Sequence, residues 1–140
     1  MMSLSAFFKQ NVVSDITVDF VVSDRMKDKD GNPIPWQLKT MTEEENERLR
    51  KSATKQVKGK NGVKTNETDS EAYIAKLVVA SVLYPDLQNA ELQESYNVRG
   101  ADVLIKKMLL PGEFASLVGK VQELNGFDRD LNELVEEVKN

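Results

Sequence analysis

Thr68-Asp69-Ser70-Glu71-Ala72-Tyr73-Ile74-Ala75-Lys76-Leu77-Val78-Val79-Ala80-Ser81-Val82-Leu83-Tyr84-Pro85 is the stretch from which the fold is decided. Thr68 to Glu71 spells a capping box, in which a side chain at each end satisfies backbone donors that a helix start leaves open. From Leu77 to Leu83 the segment is apolar on nearly every face, so it cannot lie on a surface. Pro85 disfavours helical geometry in the residue before it. The spacing predicts a helix ending at Tyr84, buried at the centre, around which everything else must pack.

Toward the C-terminus shorter helices follow. Asn89 caps Ala90 to Tyr96, and Gly100 precedes Ala101 to Leu109, with Leu104, Ile105, Met108 and Leu109 inward. Pro111 suits a first turn, and Phe114, Leu117, Val118, Val121 and Leu124 form a stripe at helical spacing that Asn125-Gly126 ends. Residues 129–140 give a last amphipathic helix, with Leu131, Leu134, Val135 and Val138 on one face and Glu133, Glu136 and Glu137 on the other.

Toward the N-terminus, Thr42-Glu43-Glu44-Glu45 is another capping box and opens a mostly solvated helix to about Ser52. It carries the favourable pairs Glu44–Arg48 and Glu47–Lys51. Ile16, Val18, Phe20 and Val22 alternate with polar residues, as do Ile34, Trp36 and Leu38, and turn formers lie between them. This is a β-hairpin. Pro33 and Pro35 cannot donate to a ladder, which places that strand at an edge. A hairpin alone is marginal in water, so its apolar face packs on helices. At the start, Ser3 or Ser5 caps one turn whose Leu4, Phe7 and Phe8 dock on the body. Lys55 to Glu67, with two glycines and many polar residues, reads as a flexible loop.

The expected fold is α+β, mainly α: an N-terminal hairpin on a compact bundle of five or six helices. Residues 1–128 form one domain, with the hairpin at about 16–40 and the helices at about 42–124. Residues 129–140 form a C-terminal helix, docked or partner-binding.

Composition removes whole classes of chemistry. The chain has 140 residues, 40% hydrophobic and 6% aromatic, so one aliphatic core is affordable. No Cys and no His are present. Thiol nucleophiles, disulfides, most zinc sites and His acid–base catalysis are therefore excluded. A net charge of -4 argues against a dedicated nucleic-acid or membrane partner. No apolar run reaches the length of a membrane span, and the first ten residues are not built as a signal peptide. The expected setting is cytoplasmic, with no cofactor, no metal and no catalytic residue.

Three motifs have plainer readings. Asp28-Lys29-Asp30-Gly31 starts like a calcium loop, but that loop needs Gly sixth and Glu twelfth. Here Gly31 is fourth and Lys39 twelfth, so a hairpin turn is the better reading. Gly59 to Thr65 resembles a phosphate loop, but its glycines are three apart and Val63 intervenes before Lys64. Residues 90–108 have the layout of a helix-turn-helix, the alternative reading being a DNA-binding regulator. Against it, the would-be recognition helix opens with Asp102, which faces phosphate badly, and such helix pairs are common scaffold.

Several separated stretches resemble a known family. They are Ser3 to Asn11; Lys27 to Pro33 with Trp36; Thr42 to Glu47 with Leu49-Arg50-Lys51; Tyr84 to Leu87 with Ala90 to Gln93 and Ser95-Tyr96; and Lys107 to Leu109 with Pro111-Gly112-Glu113, then Asn125 to Asp128. In this order and spacing they resemble the PBSX-type, XkdN-like tail assembly chaperones of contractile-tailed bacteriophages and prophages of Gram-positive bacteria. The resemblance covers residues 3–128 and implies a non-enzymatic, oligomeric protein. It implies coating of the tape measure protein, recruitment of tail tube subunits, and departure before the virion is complete. In many such phages a ribosomal frameshift also yields a longer form.

Three surfaces are available for that work. The stripe Leu131, Leu134, Val135 and Val138 comes first. The others, unranked, are the hairpin edge near Trp36 and the basic loop with Lys55, Lys58 and Lys60, part of a run from Arg48 to Lys64 with seven bases and no acid.

Overall fold

The computed structural model describes residues 4–14 and 16–127. It is a mixed α+β fold dominated by helices. The strands are β1 (Thr17–Phe20), β2 (Trp36–Lys39), β3 (Thr54–Lys58), β4 (Lys64–Thr68) and β5 (Val82–Tyr84). The helices are α1 (Glu43–Ser52), α2 (Ser70–Ser81), α3 (Ala90–Ser95), α4 (Ala101–Met108) and α5 (Pro111–Leu124).

α2 is the axis of the fold, as its sequence requires. Asp69 caps it, accepting from the Ala72 N–H at 3.1 Å. Ala75, Leu77, Val78 and Ser81 are buried on it, and it packs against α1, α4 and α5. Leu104 and Ile105 of α4, Leu117 and Val121 of α5, and Trp36 and Leu38 of β2 complete the core. Each such buried aliphatic contributes roughly 1.5–3 kcal/mol by leaving water.

α2 ends three residues earlier than the sequence reading places it. Val82-Leu83-Tyr84 leaves the helix and becomes β5, which pairs antiparallel with β2. β-Branched Val82 and aromatic Tyr84, the latter directly before Pro85, favour extended backbone, and β2 offers an open row of hydrogen-bonding groups. The sheet order is therefore β1-β2-β5. This corrects the edge position expected for the second strand. β2 is central, and both prolines fall before it starts at Trp36, where their missing N–H groups break no ladder. β1 pairs with β2 in the register Val18↔Leu38 and Phe20↔Trp36.

The connection between β1 and β2 turns at Asp28. Its Oδ1 accepts from the N–H groups of Asp30 and Asn32, both at 2.9 Å, and Gly31 adopts φ +84°. The acidic motif thus serves its own backbone, as the hairpin-turn reading expects.

Residues 55–67 form no loop. β3 and β4 pair along their full lengths, from Thr54↔Thr68 to Lys58↔Lys64. Gly59 N–H donates to the Val63 carbonyl at 2.8 Å, and Gly62 has φ +74°. A three-residue turn closing on a left-handed glycine is a standard hairpin connection. Polar composition masked this hairpin, whose residues are exposed on both faces beyond Thr54.

Candidate interaction surfaces

Each surface can be placed from its residues. The stripe Leu131, Leu134, Val135 and Val138 lies outside the described residues. Trp36 is 2% exposed and sits in the core on the central strand, so the expected binding edge beside it does not exist. Alternation along β2 turns Trp36 and Leu38 inward together and Gln37 outward. Lys55, Lys58 and Lys60 are exposed on the β3–β4 hairpin, the first two on β3 and the third in its turn.

Register sorts the hairpin's charges by face. Opposed residues share a face, so Lys58, Lys64, Gln56 and Asn66 lie on one side. Lys55, Glu67, Val57 and Thr65 lie on the other. Lys58 directly opposes Lys64, a like-charge pair that works against the hairpin and favours an anionic neighbour. Seven of the chain's 19 bases lie between Arg48 and Lys64, which leaves 12 bases against all 23 acids elsewhere. Four of the seven, Lys55, Lys58, Lys60 and Lys64, lie on the hairpin beside the single acid Glu67, and the other three lie on α1, so the hairpin is cationic on an otherwise acidic molecule.

Two features escaped the sequence reading. Leu4, Phe7 and Phe8 do not dock on the body. Residues Leu4–Phe7 and Lys9–Asn11 form two short 3-10 turns in which no residue is buried. Leu4 is 72%, Phe7 76% and Val13 82% exposed. The apolar spacing 4, 7, 8, 12 is visible in the sequence, but spacing alone does not say whose surface such a segment covers. The second feature is a groove of about 370 Å³ lined by Glu71, Ile74, Lys106, Leu109, Pro111 and Phe114. It opens where the first turns of α2 and α5 meet the end of α4.

Helices α3 and α4 follow one another around a tight turn. The Gln93 side chain clamps their turn, donating to the Leu87 carbonyl at 2.9 Å and accepting from the Gly100 N–H at 3.0 Å. Asp102 and Val103 are exposed in the first turn of the eight-residue α4. The surface that would face a duplex thus opens with an acid, and no observation favours DNA binding.

The electrostatics describe scaffold. Glu113 is held at about 2, first by its hydrogen bond from Arg25, then by Ser23 and by the Leu110 N–H. Glu47 is lowered by Lys51, at 2.9 Å one helical turn away. Among the described residues no three His, Cys, Asp or Glu side chains converge as metal ligands, and no helix is long and apolar enough to cross a membrane.

Comparison with known proteins supplies the context for these surfaces. Residues 4–139 match the family described as "Phage XkdN-like tail assembly chaperone protein, TAC". The chain is 36% identical over 140 residues to the phage-like element PBSX protein XkdN of Bacillus subtilis (strain 168), covering 98% of this chain and 93% of that protein. YqbN of the same organism shows the same identity and coverage. A crystal structure of YqbN superposes with a TM-score of 0.78 at 29% identity, over 91% of this chain and 99% of that one.

Proposed function

This chain belongs to the phage XkdN-like tail assembly chaperone family, and from that premise we propose that it binds the tape measure protein and helps bring tail tube subunits to it. It acts as a non-catalytic, self-associating protein in the host cytoplasm and is absent from the finished virion. The family match carries the reading. The surfaces described above support it physically. A tape measure is a long, amphipathic, aggregation-prone helix; masking it requires apolar contact surface together with charge that keeps the complex soluble. Many weakly bound copies along one long client give tight coverage that still dissociates. The mainly acidic molecule with one cationic projection supplies the charge.

The client contacts are assigned to the C-terminal stripe and the basic hairpin, the stripe first. The test replaces Leu131, Leu134 and Val138 with Ser and, separately, Lys55, Lys58 and Lys60 with Glu. Each variant is co-expressed with the tape measure protein of the same phage element. Loss of co-purification, with an unchanged far-UV spectrum and melting temperature, is the expected result. Undiminished co-purification by both variants would remove these surfaces from the client interface, and failure of the unmodified chain to co-purify would remove the client itself.

A further inference from the structure

We propose that the N-terminal arm, Leu4 to Val13, is a plug that seats in the groove between α2, α4 and α5 of a second copy of this chain. The proposal rests on the self-association proposed above and names its two surfaces.

The arm is ordered but unburied. The Asn11 side chain donates to the Ser5 carbonyl at 2.7 Å, and the Phe8 carbonyl accepts from the N–H groups of Asn11 and Val12 at 2.8 and 3.1 Å. These bonds fix the arm's shape while Leu4, Phe7, Phe8, Val12 and Val13 stay exposed. An apolar segment that is both shaped and solvated has already met the conformational cost of docking. It also forms an apolar surface of the kind that marks an interaction site.

The groove matches it in size and apolar character. A cavity of roughly 150 Å³ holds one benzene ring, so about 370 Å³ has room for two aromatic side chains. Its walls Ile74, Leu109, Pro111 and Phe114 are apolar, and Glu71 and Lys106 are the charged residues that line it. Lys9 is the charged residue of the arm's described residues, directly after Phe7-Phe8. Rings in the groove would bring that ammonium toward the Glu71 carboxylate. Among the described residues the arm and the groove of one copy are both open. A second copy fills each with the other.

Plug and groove are different surfaces, and each copy gives one arm and receives one. Two copies that exchange arms close as a two-fold pair, and one-way exchange builds a ring or a filament. Either assembly presents more than one copy of the client-binding surface.

The chain has no Cys, so introduced thiols are unique. Phe8→Cys and Lys106→Cys are prepared as separate proteins, mixed and mildly oxidised, with Lys58→Cys replacing Lys106→Cys as control. A cross-linked pair from the first mixture and none from the control is expected. A chain carrying both substitutions gives cross-linked dimers where arms are exchanged reciprocally and a ladder of multimers where they pass one way. In sedimentation, Phe7→Ser with Phe8→Ser weakens self-association at least about tenfold with an unchanged melting temperature. Lys9→Glu and Glu71→Lys each weaken it, and the two together restore it. Intrachain closure of the double-Cys protein, or full self-association by the Phe7→Ser, Phe8→Ser protein without cross-linking, overturns the plug and leaves self-association standing. An unmodified chain that sediments as a monomer at all concentrations overturns both.

Discussion

The carboxylate of Glu113 accepts from the Leu110 N–H at 2.8 Å and from Arg25 Nε at 3.1 Å, with Arg25 Nη2 also on it. The same Arg25 group donates to the Met108 carbonyl at 3.0 Å, so one guanidinium ties the β1–β2 connection to the α4–α5 corner. Arg25, Ser23 and the Leu110 N–H lower Glu113 from 4.5 to about 2. Its stabilising contribution is therefore complete above pH 4.5 and lost as the pH falls toward 2. Glu113→Gln should lower stability at pH 7, match the unmodified chain near pH 2 and flatten the acid limb between. Urea titrations at stepped pH check this. Asn125 is a second such residue: it accepts from the Met41 N–H at 2.9 Å and donates to the Val121 carbonyl at 2.9 Å. Asn125→Ala orphans the half-buried Met41 donor and should cost about 1–3 kcal/mol in chemical denaturation. The sequence marks Asn125-Gly126 as a helix end, but the reach to Met41, 84 positions away, is a fact of packing.

Elements divide by whether they touch the core. α2 does, so the loss of one cap bond is felt throughout: Asp69→Ala should destabilise the chain by about 1 kcal/mol in urea unfolding. The β3–β4 hairpin does so little that damage to it stays local. Gly62→Val forces a β-branched residue to φ +74°, strain of order 1–2 kcal/mol. Amide exchange at Val57 and Thr65, a hydrogen-bonded pair of the hairpin, should accelerate while that of Leu77 stays unchanged. The same division explains what was legible. Buried helices announce themselves through apolar period and caps, and α1, α4 and α5 start where Thr42, Gly100 and Pro111 place them. A hairpin solvated on both faces leaves no such period, so Lys55 to Glu67 reads as a loop. β5 was hidden for the opposite reason. Val82 to Tyr84 is apolar enough to continue α2, and what turned it into a strand was the open side of β2.

At the scale of the molecule, charge is separated: the segment from Arg48 to Lys64 is wholly basic, while acids outnumber bases in the rest. Client capture that uses the hairpin should weaken as salt is raised from 50 to about 200 mM, because exposed charges are screened within roughly 10 Å. Replacing Lys55, Lys58 and Lys60 with Glu should remove that salt dependence, measured by titration of the client at several ionic strengths. The basic run, the missing Cys and His, the mainly helical α+β class and the family resemblance all stood in the chain as written. Each depends on residue type and near-neighbour spacing, which sequence states directly. The central place of β2, the burial of Trp36, the projecting hairpin, and the shared exposure of the Leu4–Val13 arm and the Ile74–Phe114 groove came only with the tertiary structure. An apolar residue specifies that it leaves water, not which surface covers it; that choice is made by whichever strands and helices the folded chain brings alongside.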